Sequence, residues 1–201
     1  VSIDLASMSV GGYLDALAAA QPVPGGGAVA GVTLAQANAL GSMVVGYAIG
    51  KAKFAAHDAA HRAAHETFER GRRAAIELAA EDAKAYEHLN RLWKLPKGDP
   101  LRTGFDAAVL EAIRAPEESL ALAKSTLDAL AVLVGTTSAS LASDLRIAID
   151  LAAVGARAAQ ENVRINLPSV ADESARTEIS ARTEAMLSAC EAAALGLRAR
   201  V

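Results

Sequence analysis

The chain has 201 residues and a formal charge of −3 at neutral pH, from 20 basic and 23 acidic side chains. About a quarter of it is alanine and only 3% is aromatic, which excludes a β-sandwich or barrel; the lack of a basic surplus argues against a nucleic-acid-binding domain. Cys190 is the single cysteine, so an internal disulfide and a cysteine-based zinc site are excluded, and its setting in Ser188–Ala192 reads as small helix packing.

Taken in order, Gly11–Ala20 predicts a short helix with Tyr13, Leu14 and Leu17 on one side. Gln21–Gly27, with two prolines and three glycines, breaks it. A second helix is expected over about Ala28–Ile49. No charged residue occurs between Asp15 and Lys51, and the run is long enough to cross a bilayer. Thr33, Gln36, Asn38 and Ser42 within it favour a buried central or interface helix instead. Gly50–Phe54 reads as a corner.

Ala55–Trp93 is helical in pattern, broken only by Gly71, and Lys94–Arg102 is the clearest loop. A short helix over Thr103–Arg114 is expected next. Pro116 with Glu117 and Glu118 then reads as the start of a separate helix reaching Val134. Gly135–Ser138 is a turn, Ala139–Val163 a further helix, and Asp172–Leu197 the last, with Pro168 ending the segment between. No strand or fixed repeat is visible. The expectation is a single all-α domain over residues 1–201, an antiparallel multi-helix bundle of long helices with one uncharged buried or interface helix, paired as a homodimer. The chain does not open on a basic stretch followed by an apolar run, so a cytoplasmic setting is expected, with neither nucleic acid nor membrane as partner.

Several groups carry chemistry. Gly25–Ala30 superficially fits a dinucleotide fingerprint, but no strand precedes it and no Lys-Ser/Thr pair follows. It is either a plain helix-entry turn or a place where bare amides meet a polar or anionic ligand. His57, His61 and His65 fall on one helix stripe without a metal-binding motif and read as an exposed polar stripe. Asp82 shares a stripe with Leu78, Tyr86 and Leu89; from spacing alone a surface acid is the default, and a buried one would have a raised pKa. Ser143–Asp144 sits between leucines, and Asn162 and Asn166, four apart, share one face.

Together these residues are similar to a known family. Pro22–Ala30 resembles the Pro-Thr-Pro-Gly-Gly-Gly opening of the cyclodeaminase/cyclohydrolase family. That family includes the cyclodeaminase domain of formiminotransferase-cyclodeaminase and a bacterial methenyltetrahydrofolate cyclohydrolase. Ile49–Phe54 resembles its Ile-Gly-Lys-Lys-Lys-Tyr, Asp82–Tyr86 its Asp-x-x-Ala-Phe, Ser143–Asp144 its Ser-Asp, and Asn162–Leu167 its Asn-Val-x-Ile-Asn-Leu. The order and approximate spacing match over almost the whole chain. The chain departs from the pattern at Val23, Gly46, Ala48, Ala52 and Gly135–Ser138.

The resemblance implies an all-helical dimer acting on a folate bound in a polar cleft, with Asp82 tied to catalysis and Lys51 near the same site. Lys53 is a candidate for the folate tail, Asp144, Asn162 and Asn166 for the pterin, and Gly25, Gly26 and Gly27 for a close backbone approach. The implied reaction is hydrolysis of 5,10-methenyltetrahydrofolate to 10-formyltetrahydrofolate, which calls for no metal or redox cofactor. Two alternatives stay open: loss of ammonia from 5-formiminotetrahydrofolate, and a non-catalytic folate-binding or assembly role.

Overall fold

The computed structural model describes residues 5–201, and among them are six α-helices and no strand. They are α1 (Val10–Ala18), α2 (Gly26–Gly46), α3 (Asp58–Trp93), α4 (Phe105–Leu133), α5 (Ala142–Asn166) and α6 (Glu173–Arg198). Short 3-10 turns at Ala52–His57, Pro100–Arg102, Ala139–Leu141 and Leu167–Ser169 make the connections.

Two expectations are corrected. The predicted helix start at Pro116 is not a boundary, because α4 runs through it from Phe105 to Leu133. Proline's missing N–H and crowding ring disfavour a helix interior, but packing on both flanks offsets that cost. Ala112, Ile113, Pro116, Ser119 and Leu120 are all buried, so both flanks are held. The second correction lies at α2, whose helix begins at Gly26, with Gly25 as N-cap. Gly26 and Gly27 therefore form its first turn rather than a preceding loop.

The register of the bundle follows from residues that touch across it. A Cβ on Gly31 of α2 would meet Ala75 and Ala79 of α3, while Gly41 faces Phe68. Rising numbers on α2 meet falling numbers on α3, so the two run antiparallel. Gly26 lies against Asn162 and Gly155 against Leu34, which makes α2 and α5 antiparallel as well. Arg114–Glu81 and His88–Glu111 contacts set α3 against α4 in the same sense. The four helices α2–α5 thus form an up-and-down bundle, with α2 beside α3 and α5 and diagonal to α4. Helix α6 packs outside on α4 and α5.

Alanine and glycine let these backbones approach closely, and α2 buries Ala28, Ala30, Leu34, Ala37, Val44 and Val45 among its neighbours. Length and composition alone would allow α2 to cross a bilayer; here it packs as a core helix against three others. Its fully buried Asn38 donates to the Leu34 carbonyl at 2.9 Å and to Thr126 Oγ1 of α4 at 3.0 Å. This polar pin fixes the diagonal register, since slipping it would leave a buried amide unpaired.

At the far end, Gly50 takes a positive φ of 71° and donates its amide to Asp58 Oδ1 at 2.8 Å, closing the corner into α3. Cys190 is buried as expected, with its thiol pushed up to about 11 by burial.

Gly71 of α3 lies under the Asn38 amide, and a Cβ there would overlap Asn38 Oδ1. Gly71→Ala should destabilise the fold by ~2–4 kcal/mol, by displacing a buried hydrogen-bonded amide. Gly196→Ala, on the exposed face of α6 with open space around it, should instead stabilise by ~0.5–1 kcal/mol. Denaturant melts of the two variants test the contrast.

Candidate active site

Four helices converge on one cavity of about 240 Å³. Gly25, Gly26, Gly27 and Ala28 contribute from the N-terminus of α2, Asp82 and Tyr86 from α3, Ala112 from α4, and Asn162 and Asn166 from the end of α5. The antiparallel register brings them together: α2 starts where α3 and α5 approach their ends.

The glycines lie under side chains that any Cβ would crowd. A Cβ on Gly27 would overlap the Asp82 carboxylate, and one on Gly26 would come within 3.0 Å of Asn162 Oδ1. The first turn of α2 is therefore a bare backbone surface on which two polar side chains rest. No side chain caps this helix start, so its first amides are left without a side-chain acceptor.

Asp82 forms no hydrogen bond or ion pair among the described residues, and burial pushes its carboxyl up from the ordinary 3.8 to about 6. The cause is desolvation, which disfavours the charged form. The default reading as a surface acid is thus corrected: the stripe it shares with Leu78 and Leu89 faces the core, and Asp82 sits where that stripe opens into the cavity. Asn162 and Asn166 share the cavity wall, as their spacing predicts. Asn162 Nδ2 donates to the Ala158 carbonyl at 3.0 Å, and Asn166 Nδ2 to the Asn162 carbonyl at 3.0 Å.

Three predicted site residues lie elsewhere in the chain. Lys51 and Lys53 are exposed at the opposite end of α2, about 30 Å from Asp82 at 1.5 Å per residue. Lys53 Nζ lies 5.3 Å from the Phe54 ring centroid. Asp144 is in the first turn of α5, at that same far end.

The expected exposed histidine stripe also fails at its middle. His61 is fully buried, with Nε2 3.0 Å from Thr136 Oγ1, because the first turns of α3 tuck under the α4–α5 turn. Burial lowers its pKa. His57 stays exposed, and among the described residues no three His, Cys, Asp or Glu side chains are grouped to hold a metal.

The family model for formiminotransferase-cyclodeaminase matches residues 9–185. The chain belongs to this family. It is 29% identical to a methenyltetrahydrofolate cyclohydrolase of Methylorubrum extorquens, over 92% of this chain and 91% of that protein. It is 32% identical to a formimidoyltransferase-cyclodeaminase of Sus scrofa, over 82% of this chain but 31% of that longer protein. Its fold matches the crystal structure of formiminotetrahydrofolate cyclodeaminase from Thermotoga maritima with a TM-score of 0.85, at 27% identity and 96% coverage of both chains. These family relatives are named as enzymes of folate one-carbon chemistry.

Within the family's pattern, the glycine opening, the Asp82 segment and the Asn162–Leu167 segment meet at the cavity. Ala112 is a wall residue that the sequence reading passes over, and only Pro116, four residues later, hints at it.

The raised carboxyl carries a stability consequence. A pKa of about 6 in the fold against 3.8 outside it means that folding favours protonated Asp82. That contribution is present below pH 4 and lost as pH rises through about 6. Asp82→Asn, which stays neutral, should therefore raise stability at pH 7–8 by up to ~3 kcal/mol, with the gain vanishing toward pH 4. Thermal melts across that pH range measure it.

Proposed function

We propose that this chain hydrolyses 5,10-methenyltetrahydrofolate to 10-formyltetrahydrofolate, with Asp82 as the general base. The observation that carries the reading is the desolvated carboxylate held over the bare first turn of α2. Its pKa of about 6 leaves it ionised yet basic at neutral pH. The substrate's reacting carbon is an amidinium cation, and a carboxylate without a cationic partner favours its binding. Likeness to the Methylorubrum cyclohydrolase along nearly the whole of both chains supports this choice of reaction.

In the reaction, water oxygen bonds to the amidinium carbon while Asp82 takes a proton. The bond from that carbon to N5 then breaks as the formyl carbonyl forms, N5 receives the proton from Asp82, and the hydroxyl proton leaves to solvent. One water is consumed and one proton released. The alternative, loss of ammonia from 5-formiminotetrahydrofolate, is favoured by the likeness to the Thermotoga cyclodeaminase and uses the same carboxylate at the same carbon.

Purified protein should accelerate the decay of methenyltetrahydrofolate absorbance above the spontaneous rate, and Asp82→Asn should lower kcat by ~10²–10⁴-fold. The wild-type kcat/KM should fall below pH about 6, as the base becomes protonated, and level off above it. No acceleration with this substrate, but release of ammonia from the formimino compound, would select the second reaction.

The active unit in this reading is a homodimer. The cavity is below the ~300–1,000 Å³ usual for ligand pockets and has no lysine or arginine in its wall, so a folate's anionic tail lies outside it. Helix α2 exposes an uncharged stripe with Met43 on it, continued by Tyr47 just past its end, and α1 exposes Val10 and Leu14. Two copies paired antiparallel along α2 would bring the Lys51–Lys53 corner of one chain to the Asp82 cavity of the other. Asp82→Asn and Lys51→Ala proteins, each of low activity, should then regain about a quarter of wild-type activity when mixed and reassociated, because one hybrid site is intact. No recovery on mixing would place Lys51 outside a shared site.

A further inference from the structure

Pro116 stands in the interior of α4, fully packed, with helix continuing on both sides. A proline has no N–H, so the carbonyl four residues earlier loses its helical partner, and the ring tilts that carbonyl off the helix axis. That carbonyl belongs to Ala112, which lines the cavity. It is met from outside α4, because Asn166 Nδ2 donates to Ala112 O at 3.4 Å.

The second N–H of the same amide donates to the Asn162 carbonyl at 3.0 Å. A side-chain amide can satisfy two carbonyls only with its nitrogen end, so its orientation is fixed by chemistry. Asn166 Oδ1 is then the end left over. It has no partner among the described residues, and Asn166 lines the cavity, so Oδ1 is the end left free for a ligand there. Asn162 is arranged alike: its nitrogen is turned to the Ala158 carbonyl, and its Oδ1 lies over Gly26.

We infer that Pro116 is a positioning residue: by freeing the Ala112 carbonyl it pins Asn166 with Oδ1 toward the cavity, so that this wall accepts hydrogen bonds rather than donating them. Asn162 and Asn166 then present two acceptor groups to the ligand, beside the Asp82 carboxylate that serves the reacting carbon. Resting on the folate reading, this assigns the wall to the donor edge of the reduced pterin, with its ring N–H groups and exocyclic amine. A ring bearing a carbonyl in place of that amine meets acceptor against acceptor and is rejected.

The test is Pro116→Ala, which returns an N–H to the helix and recaptures the Ala112 carbonyl. Removing a proline from a helix interior ordinarily favours the helix, so a structural role and a positioning role predict differently. The expected result is an unchanged or raised Tm, a KM for methenyltetrahydrofolate raised about tenfold, and kcat within about twofold. Added to Asn166→Ala, Pro116→Ala should raise KM no further, because both act through one group. In ligand-free protein, the Asn166 side-chain amide resonances should shift in Pro116→Ala.

An unchanged KM, an equal further rise in the Asn166→Ala background, or unmoved Asn166 resonances would each overturn the proposal. Should Pro116→Ala fail to fold, Asn166→Asp decides: it keeps the size but has no N–H to pin, and KM should rise about tenfold, an unchanged KM overturning the proposal. Wild-type protein that neither binds nor turns over the folate would overturn the folate reading instead, and the ligand-free resonances would still decide the role of Pro116.

Discussion

Everything at the cavity depends on one steric exclusion: the Asp82 carboxylate occupies space that any side chain at position 27 would fill. Because the neighbour is backbone, the carboxylate loses water without gaining a charged partner. Its raised pKa follows from that loss. A cationic side chain beside it would have pulled the value the other way and competed with a cationic substrate. The cavity thus holds a carboxylate that is costly to ionise and has no cation of its own beside it.

The bundle supplies this arrangement through register. Asn38 ties α2 to Thr126 of α4, and the glycine contacts along α2 set its height against α3 and α5. With that height fixed, the start of one helix meets the ends of two others, where side chains are free to turn toward a common space. The same register carries Lys51, Lys53 and Asp144 to the opposite end. One chain therefore holds two separated groups of polar residues, joined by an uncharged helix whose outer face is bare.

Much of the fold is legible in the sequence, for physical reasons. Alanine content and the absence of strand-forming runs set the class, and the loops at Lys94–Arg102 and Gly135–Ser138 separate helices where expected. Pro116 misleads because local preference sees a helix start, whereas tertiary packing holds the helix together through it. His61 misleads because a four-residue spacing fixes a face but not what covers it. The burial of Asp82 is not legible in its spacing: it comes from the bare turn of α2, 55 residues away in sequence. The Lys51 corner shows the limit of ordered motifs, since order along a chain does not say which end of a bundle each motif reaches.

The alanine-rich seams around α2 have a mechanical consequence. An interior of leucines and methionines absorbs a small change in volume by changing rotamers; alanine has no χ angle to adjust. Ala28, Ala30, Ala75, Ala79, Ala152 and Ala156 leave these interfaces with almost no such freedom. An added methyl group there is passed on as a rigid shift of the whole helix. The distance between the α2 backbone and the Asp82 carboxylate is therefore set by packing along the full length of the bundle, and residues far from the cavity tune it.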